Sequence, residues 1–132
     1  MKIKKRVLLA ILLVVIEGVL SAQSFAEQSH RRRYDERGFV DRSDWLYEFN
    51  SVAVEVADRA SFIVGEKESV VSTSTNKMTF DNECAKYRVL LDIGVERGFI
   101  DDRAREQQMN RLTVEKDRVS RYLAQQSSGL GL

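Results

Sequence analysis

Residues 43–65, SDWLYEFNSVAVEVADRASFIVG, contain the pattern that decides the fold class. Apolar side chains recur at alternating steps of four and three residues, the spacing of one face of an α-helix. The main stripe consists of Trp45, Phe49, Val52, Val56 and Ile63. A second stripe beside it consists of Leu46, Ala53, Ala57, Ala60 and Val64. Such a broad apolar face is typical of a helix that packs against more than one neighbour. We expect Ser43 to cap its start and Gly65 to end it.

Two further helices are predicted on the C-terminal side. One begins near Asp81 and ends at Gly98, where glycine can adopt a left-handed conformation. The other begins at Asp101 or Asp102 and runs to about residue 125. Its apolar seam consists of Met109, Leu112, Val119 and Leu123, with Tyr122 at the side. The seam is narrow and has coiled-coil spacing, so this helix lies at the edge of a bundle or pairs with another chain.

These patterns predict an all-α protein: a small bundle of three main helices, the last two forming an antiparallel hairpin, after an N-terminal signal peptide. Proline is missing from all 132 residues, which suits helices because their interiors exclude it. The expected divisions are a signal peptide over 1–26, a polar arm over 27–42 and a helical domain over 43–126. Within that domain we expect a surface loop over 65–79, and residues 127–132 are expected to form a flexible tail.

The signal peptide is predicted from a basic start followed by an unbroken apolar run, Val7 to Ile16. Small residues, Ser24 and Ala26, occupy the −3 and −1 positions of a cut after Ala26, and a cut after Ala22 is the second choice. The run is shorter than the about 20 residues needed to span a bilayer. Retention of the segment as an anchor is the alternative, with Glu17 then at the membrane interface.

Charge and composition exclude several classes of function. The chain has 21 basic and 20 acidic side chains, and residues 1–26 hold four of the former and one of the latter. The remaining chain therefore has 17 and 19, and a net charge of −2 gives no electrostatic basis for nucleic-acid binding. One histidine, His30, and one cysteine, Cys84, are too few for a usual zinc or copper site. We expect no cofactor, no metal and no enzymatic activity.

Cys84 allows two interpretations. It lies on the apolar face of the second predicted helix, where a free cysteine is usually buried. With no second cysteine in the chain, a disulfide could only join two molecules, and an oxidising compartment would permit such a covalent dimer.

The function predicted from these features is protein binding. We expect an exported bacterial protein, periplasmic or secreted, that acts at the cell envelope as an adaptor, chaperone, inhibitor or secretion-machine accessory. Trp45, Phe49, Met109 and Tyr122 are the candidate interface residues if they are exposed, and a homodimer is an option. The alternative is a single-pass inner-membrane subunit with an uncleaved anchor, the only case in which we expect membrane contact. A cell-wall hydrolase with two carboxylates is a third option, since such acids need no fixed spacing.

Overall fold

The structure, a computed structural model, describes residues 25–65 and 70–130. All regular secondary structure in these ranges is α-helical, which confirms the all-α class. Helix α1 covers residues 25–37, α2 is Arg42–Gly65, α3 is Val70–Glu96 and α4 is Asp102–Leu130. The described part of the bundle thus has four helices, where the sequence pattern predicted three.

Helix α3 lies antiparallel to both α2 and α4. At the start of α2, the Nε of Arg42 donates to the carbonyl oxygen of Phe99, just beyond the end of α3, at 3.0 Å. Near the end of α2, Arg59 reaches the side-chain oxygen of Asn76, in the first third of α3, at 3.3 Å. A turn at Gly98 reverses the chain between α3 and α4, as the predicted hairpin requires. Helices α2 and α4 therefore run parallel and in contact with each other.

One repeated hexapeptide forms both of the interhelical connections that the structure describes. It reads ERGFVD at 36–41, between α1 and α2, and ERGFID at 96–101, between α3 and α4. Its glycines, Gly38 and Gly98, have φ angles of 69° and 73°, in the left-handed region that ends a helix. The glycine amides donate to carbonyl oxygens of the helix that each one terminates. The two hairpins of the bundle are therefore closed by the same local chemistry.

The aspartate that ends each hexapeptide caps the following helix. Asp41 accepts a hydrogen bond from the amide of Asp44 at 2.9 Å, and Asp101 accepts one from the amide of Ala104 at 2.8 Å. A side-chain oxygen three residues before an orphan amide is the geometry of an N-cap. The cap predicted at Asp101 is confirmed, whereas α2 is capped by Asp41 and not by Ser43.

The core is centred on Trp45, which is 1% exposed. Its indole N–H donates to the carbonyl oxygen of Leu90 at 2.8 Å, and its ring stacks on that of Phe49 with centroids 5.3 Å apart. Gly94 lets α3 approach the ring closely, since a Cβ there would lie 2.6 Å from Cζ2 of Trp45. Other core side chains include Val52, Val56, Ala60, Ile63, Phe80, Tyr87, Leu91, Ile93, Leu112 and Val119.

The polar arm expected over 27–42 is wrong for most of its length, because residues 25–37 form a helix that packs on the bundle. His30 and Tyr34, one turn apart, are both buried, and His30 Nε2 lies 2.8 Å from the side-chain oxygen of Asn82. Arg31 makes a two-pronged ion pair with Glu96. These long-range contacts stabilise a segment that has too few apolar residues to show a helical period.

The surface loop expected over 65–79 is also wrong where the structure describes it, because α3 already begins at Val70. The serines and threonines that suggested a loop have only modestly poor helix propensity, which tertiary contacts override. Thr79 donates its hydroxyl to the carbonyl oxygen of Thr75 at 3.1 Å, and Lys77 pairs with Asp81 at 2.6 Å. Residues 66–69 lie outside the described ranges.

The two ends of the chain give the remaining outcomes. Helix α4 continues through Leu130, so residues 127–130 of the expected tail are helical, and 131–132 lie outside the described part. Of the predicted signal peptide, residues 1–24 lie outside it as well. Within the part of the chain that the structure describes, no helix has the length and apolar character needed to cross a membrane.

Candidate functional site

A groove of about 330 Å³ runs between the parallel helices α2 and α4. Its α2 wall consists of Ala53, Val56 and Ala57, and its α4 wall of Gln108, Arg111, Leu112, Val114 and Glu115, with Tyr87 of α3 also lining it. The side chains of Ala53 and Ala57 are short, which leaves space between α2 and α4. Apolar atoms therefore line the groove on one side, while its opposite rim is polar and charged.

The outward surface of α2 continues this apolar wall. Tyr47 is 72% exposed and Val54 is 57% exposed, and Val54 lies one helical turn from Ala57 in the groove. The α2 stripe, as we name it, consists of Leu46, Tyr47, Asn50, Ala53, Val54, Ala57 and Ser61. None of these side chains carries a charge. Among the charged residues of α2, Glu55 lies on another side of the helix, whereas Asp58, one turn after Val54, borders the stripe on the side away from α4.

Tyr87 fixes the position of the α4 wall. Its hydroxyl lies within hydrogen-bond distance of two acceptors on Gln108. These are the backbone carbonyl oxygen at 3.0 Å and the side-chain Oε1 at 2.8 Å. Burial raises the pKa of Tyr87 to about 12, so the phenol remains a protonated donor at neutral pH. The nearby Asp92–Arg105 ion pair, at 2.8 Å, adds a second link between α3 and α4. The groove is therefore preformed by contacts within the bundle.

The structure does not bring the predicted interface residues together at the surface. Trp45 and Phe49 are 1% and 4% exposed and belong to the core, so they do not meet the condition of exposure. Met109 and Tyr122 are half-buried and pack against that core from α4. The exposed apolar side chain that lines the groove is instead Val114, while Tyr47 and Val54 are exposed on the outward surface of α2.

Cys84 is buried, with 3% of its surface exposed. Burial raises the pKa of its thiol to about 11, which disfavours the reactive thiolate. A disulfide to a second molecule would require α3 to separate locally from its neighbours. The thiol therefore acts in this fold as a small apolar side chain.

Carboxylates of the described part make ion pairs within the bundle. Across residues 25–65 and 70–130, no three His, Cys, Asp or Glu side chains are grouped so that they could hold a metal ion. Glu83 is the buried carboxylate of the described part, and its Oε1 pairs with Lys86 at 2.9 Å. At the end of α3, a hydrogen bond from Arg31 of α1 lowers the pKa of Glu96, as expected for a structural ion pair.

The exposed residues of the groove could have been found from a second internal repeat. The sequence reads NSVAVE at 50–55 on α2 and NRLTVE at 110–115 on α4, with the same 60-residue offset as the hexapeptide. In both copies the first apolar residue is buried and the valine two positions later, Val54 or Val114, is exposed. Helices α2 and α4 thus place equivalent valines on either side of the groove.

Comparisons with protein-family models, with curated protein sequences and with solved structures find no match to this chain.

Proposed function

We propose that this is an exported protein of the bacterial cell envelope that acts by binding another protein through the α2 stripe and the adjoining groove. The observation that supports it is the partly apolar outward surface of α2, where Tyr47 and Val54 are exposed and Val54 lies one helical turn from Ala57 of the groove. Exposed apolar surface next to a preformed groove is characteristic of sites that receive a partner helix.

Burial of exposed apolar area would supply binding free energy at this surface. An apolar contact contributes about 25 cal/mol for each Å² that a partner removes from water. Tyrosine is also well suited to an interface, because it offers a large contact area together with a polar tip. Two of the other exposed apolar side chains of the described residues lie on the helices that border the groove, Phe62 on α2 and Val114 on α4. The rest lie elsewhere: Phe25 on α1, Val40 in a connection and Met78 on α3.

Export is the part of the proposal that rests on residues 1–26. The intact mass of protein from a periplasmic extract tests it directly. A chain that begins at Glu27 or Gln23 supports cleavage after Ala26 or Ala22. Recovery from the membrane fraction alone, with the N-terminal segment retained, would instead support the single-pass membrane subunit.

Site-specific photocrosslinking in cells tests the binding surface. A photoreactive amino acid at position 47 or 54 should form adducts with another protein, identified by mass spectrometry. Met78 provides a matched control, because it is 71% exposed, close to the 72% of Tyr47, but lies on α3. Adducts at 47 and 54 but not at 78 support the proposal. The same adducts at all three positions, or none at 47 and 54, contradict it, and an adduct of twice the chain mass indicates a homodimer.

A further inference from the structure

A row of arginines follows the outer edge of the groove along α4. Its members are Arg103, Arg111, Arg118 and Arg121, and we call them the arginine row. The spacings of eight, seven and three residues place them on one side of the helix. Arg111 lines the groove directly, and the row is exposed to solvent. The other side chains on this surface are Gln107, Asn110, Val114 and Gln125, which carry no charge.

Three carboxylates of α4 lie close to this row. Asp117 lies one turn before Arg121 and Glu106 one turn after Arg103, on the side of the row that faces away from α2. Glu115 lines the groove, and its Oε2 lies 3.6 Å from Nη1 of Arg118, so Arg118 already has an acidic neighbour. Among the described residues, no ion pair engages Arg111 or Arg121. The positive charges of the row that no described ion pair engages are therefore those of Arg103, Arg111 and Arg121, although residues 27–132 are slightly acidic as a whole.

The two walls of the groove thus differ in chemistry. The α2 stripe is uncharged and partly apolar, and the arginine row opposite it is positively charged. An amphipathic helix with an apolar face and an acidic flank complements both walls at once. The short side chains of Ala53 and Ala57 allow the backbone of such a helix to approach α2 closely. Each arginine guanidinium can donate two parallel hydrogen bonds to one carboxylate.

We propose that the partner presents an acidic amphipathic α-helix, which lies along the groove with its apolar side chains on the α2 stripe and its carboxylates on the arginine row. This inference rests on the proposed protein-binding function and names the partner chemistry of the same site. Basic or neutral helices with the same apolar face bind less well, because they leave the arginines unpaired or repelled.

Three designed peptides of about 18 residues, a length that spans about 27 Å as a helix, provide the probes. They share one leucine–alanine face and differ in their flanks, which carry glutamate, glutamine or lysine. Each is titrated into isotope-labelled protein purified from cells expressing the full chain, and NMR signals report affinity and location. We expect the acidic peptide to bind about tenfold more tightly than the neutral one, with added salt reducing the difference. Shifts should be concentrated in α2 and α4.

Charge reversal in the protein supplies the matched comparison. Arg111→Glu/Arg118→Glu should weaken binding of the acidic peptide by about tenfold or more and favour the lysine peptide. Arg32→Glu/Arg33→Glu makes the same charge change at exposed positions of α1 and should leave binding unchanged. Circular dichroism checks that both variants fold. If the first variant does not fold, Arg111→Gln/Arg121→Gln removes two charges without adding negative ones, and a smaller loss is expected.

The outcomes separate this inference from the proposed function. Equal binding of all three peptides, or loss of binding in the α1 variant alone, overturns the acidic-helix proposal even if crosslinking at Val54 captures a protein. Binding to phosphatidylglycerol vesicles that requires Arg111 and Arg118, without peptide binding, overturns it in favour of an anionic membrane. Self-association that the same substitutions abolish, measured by sedimentation equilibrium, would assign the groove to a second copy of the chain.

Discussion

Replacing Gly94 with alanine should destabilise the bundle, although alanine is the better helix former. A Cβ at this position would lie 2.6 Å from Cζ2 of Trp45 and 3.0 Å from Cγ1 of Ile100. The Trp45 ring has little freedom to withdraw, because it is buried, stacked on Phe49 and hydrogen-bonded to the carbonyl oxygen of Leu90 at 2.8 Å. The added methyl group therefore displaces a central core side chain.

The size of this destabilisation follows from two costs and one gain in free energy. Ordinary carbon–carbon contact needs about 3.5–4.0 Å, so the ring must move by about 1 Å. Overpacking of this kind costs about 1–3 kcal/mol, and losing the buried hydrogen bond to Leu90 costs about 1–3 kcal/mol more. The gain in helix propensity offsets about 1 kcal/mol. The expected decrease in the free energy of unfolding is about 3 kcal/mol, within a range of about 1–5.

Urea unfolding followed by fluorescence measures this decrease, since Trp45 is the single tryptophan of the chain. Gly65→Ala is the control: Gly65 is also helical, its φ is not positive, and a Cβ there would have no neighbour within 4 Å. Its unfolding free energy should stay the same or rise by up to about 1 kcal/mol, because the gain in helix propensity meets no steric clash there. A Gly94→Ala variant that unfolds at the wild-type urea midpoint, or above it, would refute the argument from close packing.

Three further predictions concern buried polar groups. Burial raises the pKa of Cys84 to about 11 and that of Tyr87 to about 12. The unfolded chain therefore loses the protons of these two groups at a lower pH than the folded chain does. Raising the pH from about 9 to about 12 should accordingly lower the free energy of unfolding. In urea titrations at increasing pH, Cys84→Ala should flatten the lower part of this decline, and an unaltered slope would contradict the assignment. In the native protein, Cys84 should react with a thiol reagent at least about tenfold more slowly than in urea, and equal rates would show that it is accessible. His30→Ala removes the contact to Asn82 and should lower the free energy of unfolding by about 1–2 kcal/mol. Amide exchange should then become faster in α1 than in α3. Equal acceleration in both helices would show that α1 unfolds only with the whole bundle.

Helix α2 and the α3–α4 hairpin could be predicted because their signals are local. Trp45, Phe49 and Val52 repeat at helical spacing, and all three are buried as that spacing requires. Gly98 has a positive φ, and Asp101 caps the next helix, since both roles depend on residues within one turn.

Helix α1 could not be predicted from apolar periodicity, because its buried face consists mainly of His30 and Tyr34. Burial raises the pKa of the Tyr34 phenol, whose hydroxyl donates to Glu48 of α2 at 3.3 Å. Polar contacts of this kind join residues far apart in sequence and leave no periodic signal. The hexapeptide at 36–41 did carry a local signal, since its copy at 96–101 lies where a helix end was already expected.

The residues of the candidate site were not predicted from the sequence. An apolar stripe at helical spacing indicates that some surface is covered, but not which neighbour covers it. The position of α3 against α2 buries Trp45 and Phe49, whereas Tyr47 and Val54 lie on the other side of the same helix. A binding surface beside α4 therefore depends on how the helices pack.

The sequence by itself determined the all-helical class, the extent of α2 to within a residue or two, and the reversal at Gly98. Periodicity, capping and glycine conformation are properties of neighbouring residues, so they can be deduced from the chain alone. Only the tertiary structure decided that α1 packs on α3, that Gly94 lies against Trp45, and that the α2 stripe and the arginine row share one groove. These features bring together residues from different helices, and burial and charge complementarity at such contacts depend on distances that no local pattern specifies.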